Sequence, residues 1–164
     1  MKEIFERVSV RKYENRKVEA EKIEKLLRAG MAAPSAGNQQ PWAFCVTESA
    51  EKMDELVKVS PYTTPLHGAP LCIAVLYRRC SLRHKDYVDQ DLSAATQNIL
   101  LEAEHLGMGA VWMGIAPLKE RMEGAKAVLE LGEEYDVFAL IAVGYPDNKP
   151  AMHDRYEESR VIWR

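Results

Sequence analysis

Arg7, Ser9, Arg11 and Lys12 fall within six positions near the start of the chain, gathering two guanidinium forks, an ammonium and a hydroxyl. Such a group suits a phosphate, because one fork can hold two oxygens of the same anion. A solvated basic turn accounts for the same residues on spacing alone. A second unusual stretch, Pro34 to Trp42, holds Ser35, Asn38, Gln39 and Gln40 between two prolines. Its stiffened backbone and hydrogen-bonding amides suit ligand recognition, while Ser35 and Asn38 bonding their own backbone would explain the loop equally well. His84, Asp86, Asp89 and Asp91 make an acidic stretch with one histidine, but their spacing matches no zinc pattern. The segment leads into a helix, where negative charge favours the dipole. His67, His105 and His153 are scattered, with His105 expected on a helix surface, and no Ser-His-Asp or Cys-His arrangement can be read. Neither GxGxxG nor GxxxxGK(S/T) occurs, so any phosphate must be held by side chains.

The elements that must position these residues alternate between helix and strand. Residues 19 to 31 carry Ala20, Ile23, Leu26, Leu27 and Met31 at helical spacing, and the polar stretch after them ends that helix. Trp42 to Thr47 and Leu71 to Tyr77 read as strands, the second so continuously apolar that it belongs at the centre of a sheet. Met53, Leu56 and Val57 mark a helix between them, and a helical crossover predicts that the two strands run parallel. Asp91 to Leu106 is the longest periodic segment, followed by Gly107 as a cap. Ala110 to Met113 and Val137 to Val143 add strands on either side of a helical segment, Lys119 to Leu131, interrupted by Gly124. The methionines at 31, 53, 108, 113 and 122 read as core fillers.

With 164 residues, the chain reads as one domain, 1–164. Its formal charge of −3, from 22 Lys and Arg against 25 Asp and Glu, gives no broad attraction to nucleic acid or to an anionic membrane. No apolar run reaches the ~18 residues of a membrane span, and Met1 opens into charged residues rather than a signal-peptide core. Cys45, Cys72 and Cys80 form no CxxC pair and cannot all pair within the chain, so a reduced, cytoplasmic setting is expected. After Gly144 the chain is polar and aperiodic, yet it presents Val161, Ile162 and Trp163 together, which implies a docking surface elsewhere.

Taken in order, the motifs resemble the FMN-dependent nitroreductase family across nearly the whole chain. Arg7, Ser9 and Arg11 in ERVSVRKY match its Arg-x-Ser-x-Arg/Lys element. Pro34, Ser35, Asn38, Gln40, Pro41 and Trp42 in APSAGNQQPW match its Pro-Ser-x-x-Asn-x-Gln-Pro-Trp loop. QNILLEAEHLGMGAVWMG, ALIAVGYP and a tail containing Arg155 follow in the family's order. The resemblance implies an α+β, three-layer fold whose mainly antiparallel sheet is packed by helices and joined by one parallel strand from the tail. It also implies a homodimer with FMN at the subunit interface, the tail 145–164 being exchanged between subunits.

The same resemblance implies site residues. Arg7, Val8, Ser9 and Arg11 would hold the phosphate or the pyrimidine edge of FMN, with Arg155 joining at the phosphate. Pro34, Ser35, Ala36 and Asn38 would come from the partner subunit, and the backbone of Met113 and Gly114 would lie near N5. The implied activity is hydride transfer from NAD(P)H through FMN to a small acceptor, a nitroaromatic or quinone, with ping-pong kinetics. A non-catalytic FMN-binding or redox-sensing module would use the same contacts, and reductive dehalogenation is a third reading. Two departures stand out: Tyr62 to His67 offers neither the Asn nor the Lys that larger relatives place there, and only thirteen residues separate Tyr77 from Asp91. The roof of the site should therefore be small or absent.

Overall fold

The computed structural model describes residues 2–79 and 82–164, so Cys80 lies outside the described residues. Among these, strands β1 (Trp42–Thr47), β2 (Leu71–Arg78), β3 (Gly109–Gly114) and β4 (Tyr135–Gly144) form one sheet in the order β1-β2-β4-β3. Side chains alternate between its faces. Leu71, Ile73 and Val75 of β2 face one way with Ile141 and Val143 of β4, and Cys72, Ala74 and Leu76 face the other with Leu140 and Ala142. Buried on both sides, β2 is central, as its unbroken apolar run predicts. Helices α2 (Ala20–Met31) and α4 (Val88–His105) cover the first face, and α3 (Ala50–Leu56) and α5 (Lys119–Val128) cover the second.

All three strand pairings are antiparallel. The parallel pair expected from the helix between β1 and β2 does not form, and the antiparallel sheet implied by the resemblance does. The reason is reach. Returning along the six residues of β1 takes about 20 Å, whereas the seven residues of α3 advance about 10 Å. Turns at Val57–Val59 and Thr64–Leu66 then fold the chain back, so that Cys72 pairs with Thr47 at the end β1 has just left. The tail adds no strand to this chain's own sheet among the described residues; the parallel contact present is a single bridge between Ser9 and Ala110.

Smaller differences have local causes. Helix α5 is not interrupted at Gly124, where a Cβ would meet Val59 at an ordinary 3.6 Å. Met53, Met108 and Met113 are core residues, but Met31 is 52% exposed at the last turn of α2. Gly107 closes α4 with φ 72°, the left-handed conformation that a glycine cap allows.

Where β4 ends, Tyr145 is clasped from several sides. Its hydroxyl donates to Glu19 Oε2 at 2.6 Å and accepts from Lys22 Nζ at 2.7 Å, and the Arg16 guanidinium sits 3.6 Å from the ring centroid. The Tyr145 hydrogen bond is the main cause that holds the Glu19 carboxyl at about 2, well below the usual carboxylate range. Beyond it, Asp147 N–H donates to Lys12 O at 3.2 Å and Lys149 pairs with Glu104. From Ala151 onward every residue is exposed, with Ile162 at 73% and Trp163 at 86%.

Candidate functional site

A short helix, α1 (Glu3–Glu6), ends at Arg7 in extended backbone, φ −60° and ψ 126°. The chain then runs along the outer edge of β3, bridged at Ser9 to Ala110, with Val10 N–H donating to Ala110 O at 3.1 Å. Val10 turns inward and is 1% exposed. It packs so closely that a Cβ on Gly109 would lie 2.5 Å from Val10 Cγ2, which excludes any larger residue there. The two-residue period of extended chain therefore directs Arg7, Ser9 and Arg11 to the opposite side from Val10.

Two cavities open along this strip. One, of about 510 Å³, is lined by Arg7 and Val8 together with Phe5, Asp154, Arg155 and Tyr156. The other, of about 350 Å³, is lined by Arg11, Tyr62, Pro65, Trp112, Met113 and Gly114. Many cations elsewhere are paired, yet among the described residues no carboxylate lies within 4.0 Å of Arg7, Arg11 or Arg155. The Arg11 fork makes one bond, from Nη1 to Ser9 O at 3.3 Å. Arg7 and Arg155 thus share one cavity wall, with Asp154, and Arg11 stands in the other cavity, each without an ion pair among the described residues.

Of the two backbone donors expected at the end of β3, the ladder distinguishes one. Ile115 N–H donates to Phe138 O at 3.2 Å, and the register pairs Met113 with Leu140 and Gly114 with Ala139. Alternation along an antiparallel ladder turns Met113 N–H toward β4 and leaves Gly114 N–H on the outer edge, beside Arg11. A Cβ on Gly114 would meet nothing within 4 Å.

The proline-bounded loop lies elsewhere. It leads into β1, the opposite edge of the sheet, three strand spacings or about 14 Å from β3. Pro34, Ser35, Ala36 and Asn38 therefore do not join the arginine strip of their own chain. Asp91, 5% exposed, tethers this loop: Oδ1 accepts from Ala36 N–H at 2.9 Å and Oδ2 from Gln39 Nε2 at 2.8 Å. Gln39 also bonds both backbone groups of His84, and Ser35 Oγ accepts from Gln40 N–H at 3.0 Å. The Ser35 bond is the self-bonding arrangement weighed from sequence. Gly37 adopts φ 55° against the His84 ring, where a Cβ would lie 2.7 Å from Nε2.

The sequence singles out both the loop and the acidic stretch, but not the bond between them that Asp91 and Gln39 make. The signal was present, because Asp91 continues the buried helical stripe Val88, Leu92 and Ala95, where a carboxylate needs partners. Asp91→Ala should destabilise the protein by roughly 2–3 kcal/mol, since it strands two donors of charge-assisted bonds, while Asp86→Ala, whose exposed carboxylate holds no side-chain bond among the described residues, should change stability little. Thermal unfolding of the two variants checks this.

The remaining candidates do not converge. Among the described residues no cluster of His, Cys, Asp and Glu could hold a metal. His105 is on the surface of α4, its Nδ1 3.0 Å from Glu3 Oε1. Cys45 and Cys72 are free, and burial pushes the Cys72 thiol up to about 12, far from a reactive thiolate. No helix among the described residues is long and apolar enough to cross a membrane.

The antiparallel four-stranded sheet packed by helices on both faces is the architecture of the nitroreductase fold. The sequence model of the nitroreductase family matches residues 4–63 and 60–145, and the chain belongs to that family. A protein of Methanothermobacter thermautotrophicus, provisionally named NADH dehydrogenase/NAD(P)H nitroreductase, is 38% identical over 155 residues, covering 94% of this chain and 81% of its own. A crystal structure from Clostridium acetobutylicum, provisionally named NADH oxidase, superposes with TM-score 0.93 at 45% identity, over 98% of this chain and 97% of that one. A Desulfovibrio desulfuricans protein provisionally named as a nitroreductase, crystallised with FMN, superposes at TM-score 0.85 and 30% identity, over 99% and 95% of the two chains.

Proposed function

We propose that this protein is an FMN-dependent oxidoreductase that moves hydride from NAD(P)H to a small acceptor such as a nitroaromatic or quinone. The observation that carries the reading is the strip of arginines without carboxylate partners beside the outer edge of β3. When bound, FMN supplies the redox chemistry, exchanging hydride at N5. The chain's own groups fit it. Arg7 and Arg155, with Val8 in the same cavity wall, would hold the terminal phosphate, and Arg11 from the second cavity, with Ser9 beside it on the strip bridged to Ala110, would hold the pyrimidine edge. Gly114 N–H, rather than that of Met113, would donate to N5 from the edge of β3.

The other half of the site needs a second copy. Because Pro34, Ser35, Ala36 and Asn38 sit on the far sheet edge, a homodimer would let one subunit's loop cover the flavin of its partner. Residues 1–164 then act as one FMN-binding unit whose tail, held to its own fold as far as Lys149, crosses to the other subunit beyond Pro150. Between β2 and α4 the described chain forms only the short turn Lys85–Tyr87, and no helix among the described residues there roofs the site. One opening would serve NAD(P)H and acceptor in turn, which makes the kinetics ping-pong. The cytoplasm, where NAD(P)H is available, is the setting this reading requires.

The test is a visible spectrum of the purified protein before and after anaerobic NADH or NADPH, then with an acceptor. Yellow protein that bleaches with reductant and recovers with acceptor is expected. Protein that takes up no FMN overturns the reading, and bound FMN that no nicotinamide reduces makes the chain a redox-silent flavin module. The N5 donor has its own check. Gly114→Pro should slow anaerobic flavin reduction by about tenfold, the worth of one neutral hydrogen bond, whereas Gly114→Ala should not. Equal rates in the two variants, with circular dichroism unchanged, would place the donor elsewhere.

A further inference from the structure

The segment before β2 departs from the family pattern, and its structure gives the departure a use. Thr63 is fully buried, its hydroxyl donating to Ser60 O at 2.7 Å and Val57 O at 3.1 Å, and Tyr62 N–H donates to Ser60 Oγ at 3.3 Å. Pro65 and Leu66 are buried directly after it. This turn is held from within, yet it presents Tyr62 with 68% of its surface exposed, at the wall of the cavity that Arg11 and Gly114 share. Over the Tyr62 ring, 5.5 Å from its centroid, stands the Arg121 guanidinium of α5. Among the described residues Arg121 has no carboxylate within 4.0 Å, and the cavity wall itself carries no acidic side chain.

A rigidly presented aromatic face beside a cation without an anion is a recognition pair with two complementary halves. The ring offers stacking to a planar molecule, and the guanidinium offers a charge-assisted fork to a carboxylate or similar group on it. We propose that Tyr62 and Arg121 select the acceptor: a planar aromatic molecule bearing an anionic substituent. The inference rests on the oxidoreductase reading above and deepens it by naming the substrate class of the same opening.

The experiment compares 4-nitrobenzoate with its methyl ester, which keep the ring and nitro group and differ in charge. FMN content and anaerobic reduction by NADH are measured first on each holoenzyme. Wild type should show a KM for 4-nitrobenzoate below that for the ester. Arg121→Gln should raise the KM for 4-nitrobenzoate by about tenfold and leave the ester unchanged, abolishing the charge preference. Tyr62→Ala should raise both, and Tyr62→Phe should restore both. A titration of tryptophan fluorescence with 4-nitrobenzoate, without reductant, should give the same order of dissociation constants, since Trp112 lines the cavity. Equal effects of Arg121→Gln on acid and ester, or no effect on either, would overturn the proposal while leaving the oxidoreductase reading intact. So would a KM change confined to NADPH, which would move Arg121 to the reductant's phosphate. Absence of bound, reducible FMN in the wild type would overturn both.

Discussion

A chain ending at Pro150 should fold, run as a monomer and lose most of its flavin. This deletion removes only residues 151–164, none of which is buried in the chain's own fold, and it keeps the Tyr145 clasp, the Asp147 bond to Lys12 and the Lys149 pair with Glu104. Any loss of association must then come from contacts with a second copy. Val161, Ile162 and Trp163 stand 39%, 73% and 86% exposed, and burying side chains of this kind is worth roughly 1.5–3 kcal/mol each. Even a net contribution of roughly 4 kcal/mol would weaken the dimer by about 1000-fold. The same deletion removes Arg155 and one wall of the larger cavity. Arg155→Ala in the full chain should therefore lower FMN occupancy and leave the dimer intact. Analytical ultracentrifugation beside flavin absorbance separates the two effects, and a truncated chain that stays dimeric and fully yellow would show that the tail is neither clasp nor ligand.

Arg11→Ala should weaken FMN binding by about 10- to 100-fold, because a charge-assisted bond is worth roughly 1.5–3 kcal/mol. The Arg11 fork forms no ion pair in the fold, and water can replace its one exposed bond, to the Ser9 carbonyl. Stability of the FMN-free protein should accordingly be unchanged, whereas Arg16→Ala, which removes a cation from the Tyr145 clasp, should lower it without altering the FMN affinity of the folded protein. An FMN dissociation constant that does not move in Arg11→Ala would remove the residue from the site.

Local order in the chain carried much of this. Strand β1 begins and ends where its aromatic and β-branched run does, and β2 is central because a strand buried on both faces cannot alternate polar with apolar. Helix α4 and its Gly107 cap were equally legible, since a helix is written in contacts three and four residues apart. The basic cluster at Arg7, Ser9 and Arg11 was visible as proximity in sequence, while the extended backbone that sets these residues opposite Val10 was not.

Tertiary structure decided what depends on distance through space. Strand direction was one such matter, because a short helix signals a crossover only if the chain after it does not turn back, and the turns at Val57–Val59 and Thr64–Leu66 reverse it. The tether of Asp91 to a loop more than fifty residues away was another, and so was the meeting of Tyr62 with Arg121 beside Gly114. Spacing could say that Arg7, Ser9, Arg11 and the Pro34–Asn38 loop suited one ligand. That they lie on opposite edges of one sheet follows only from strand order, which no local pattern encodes.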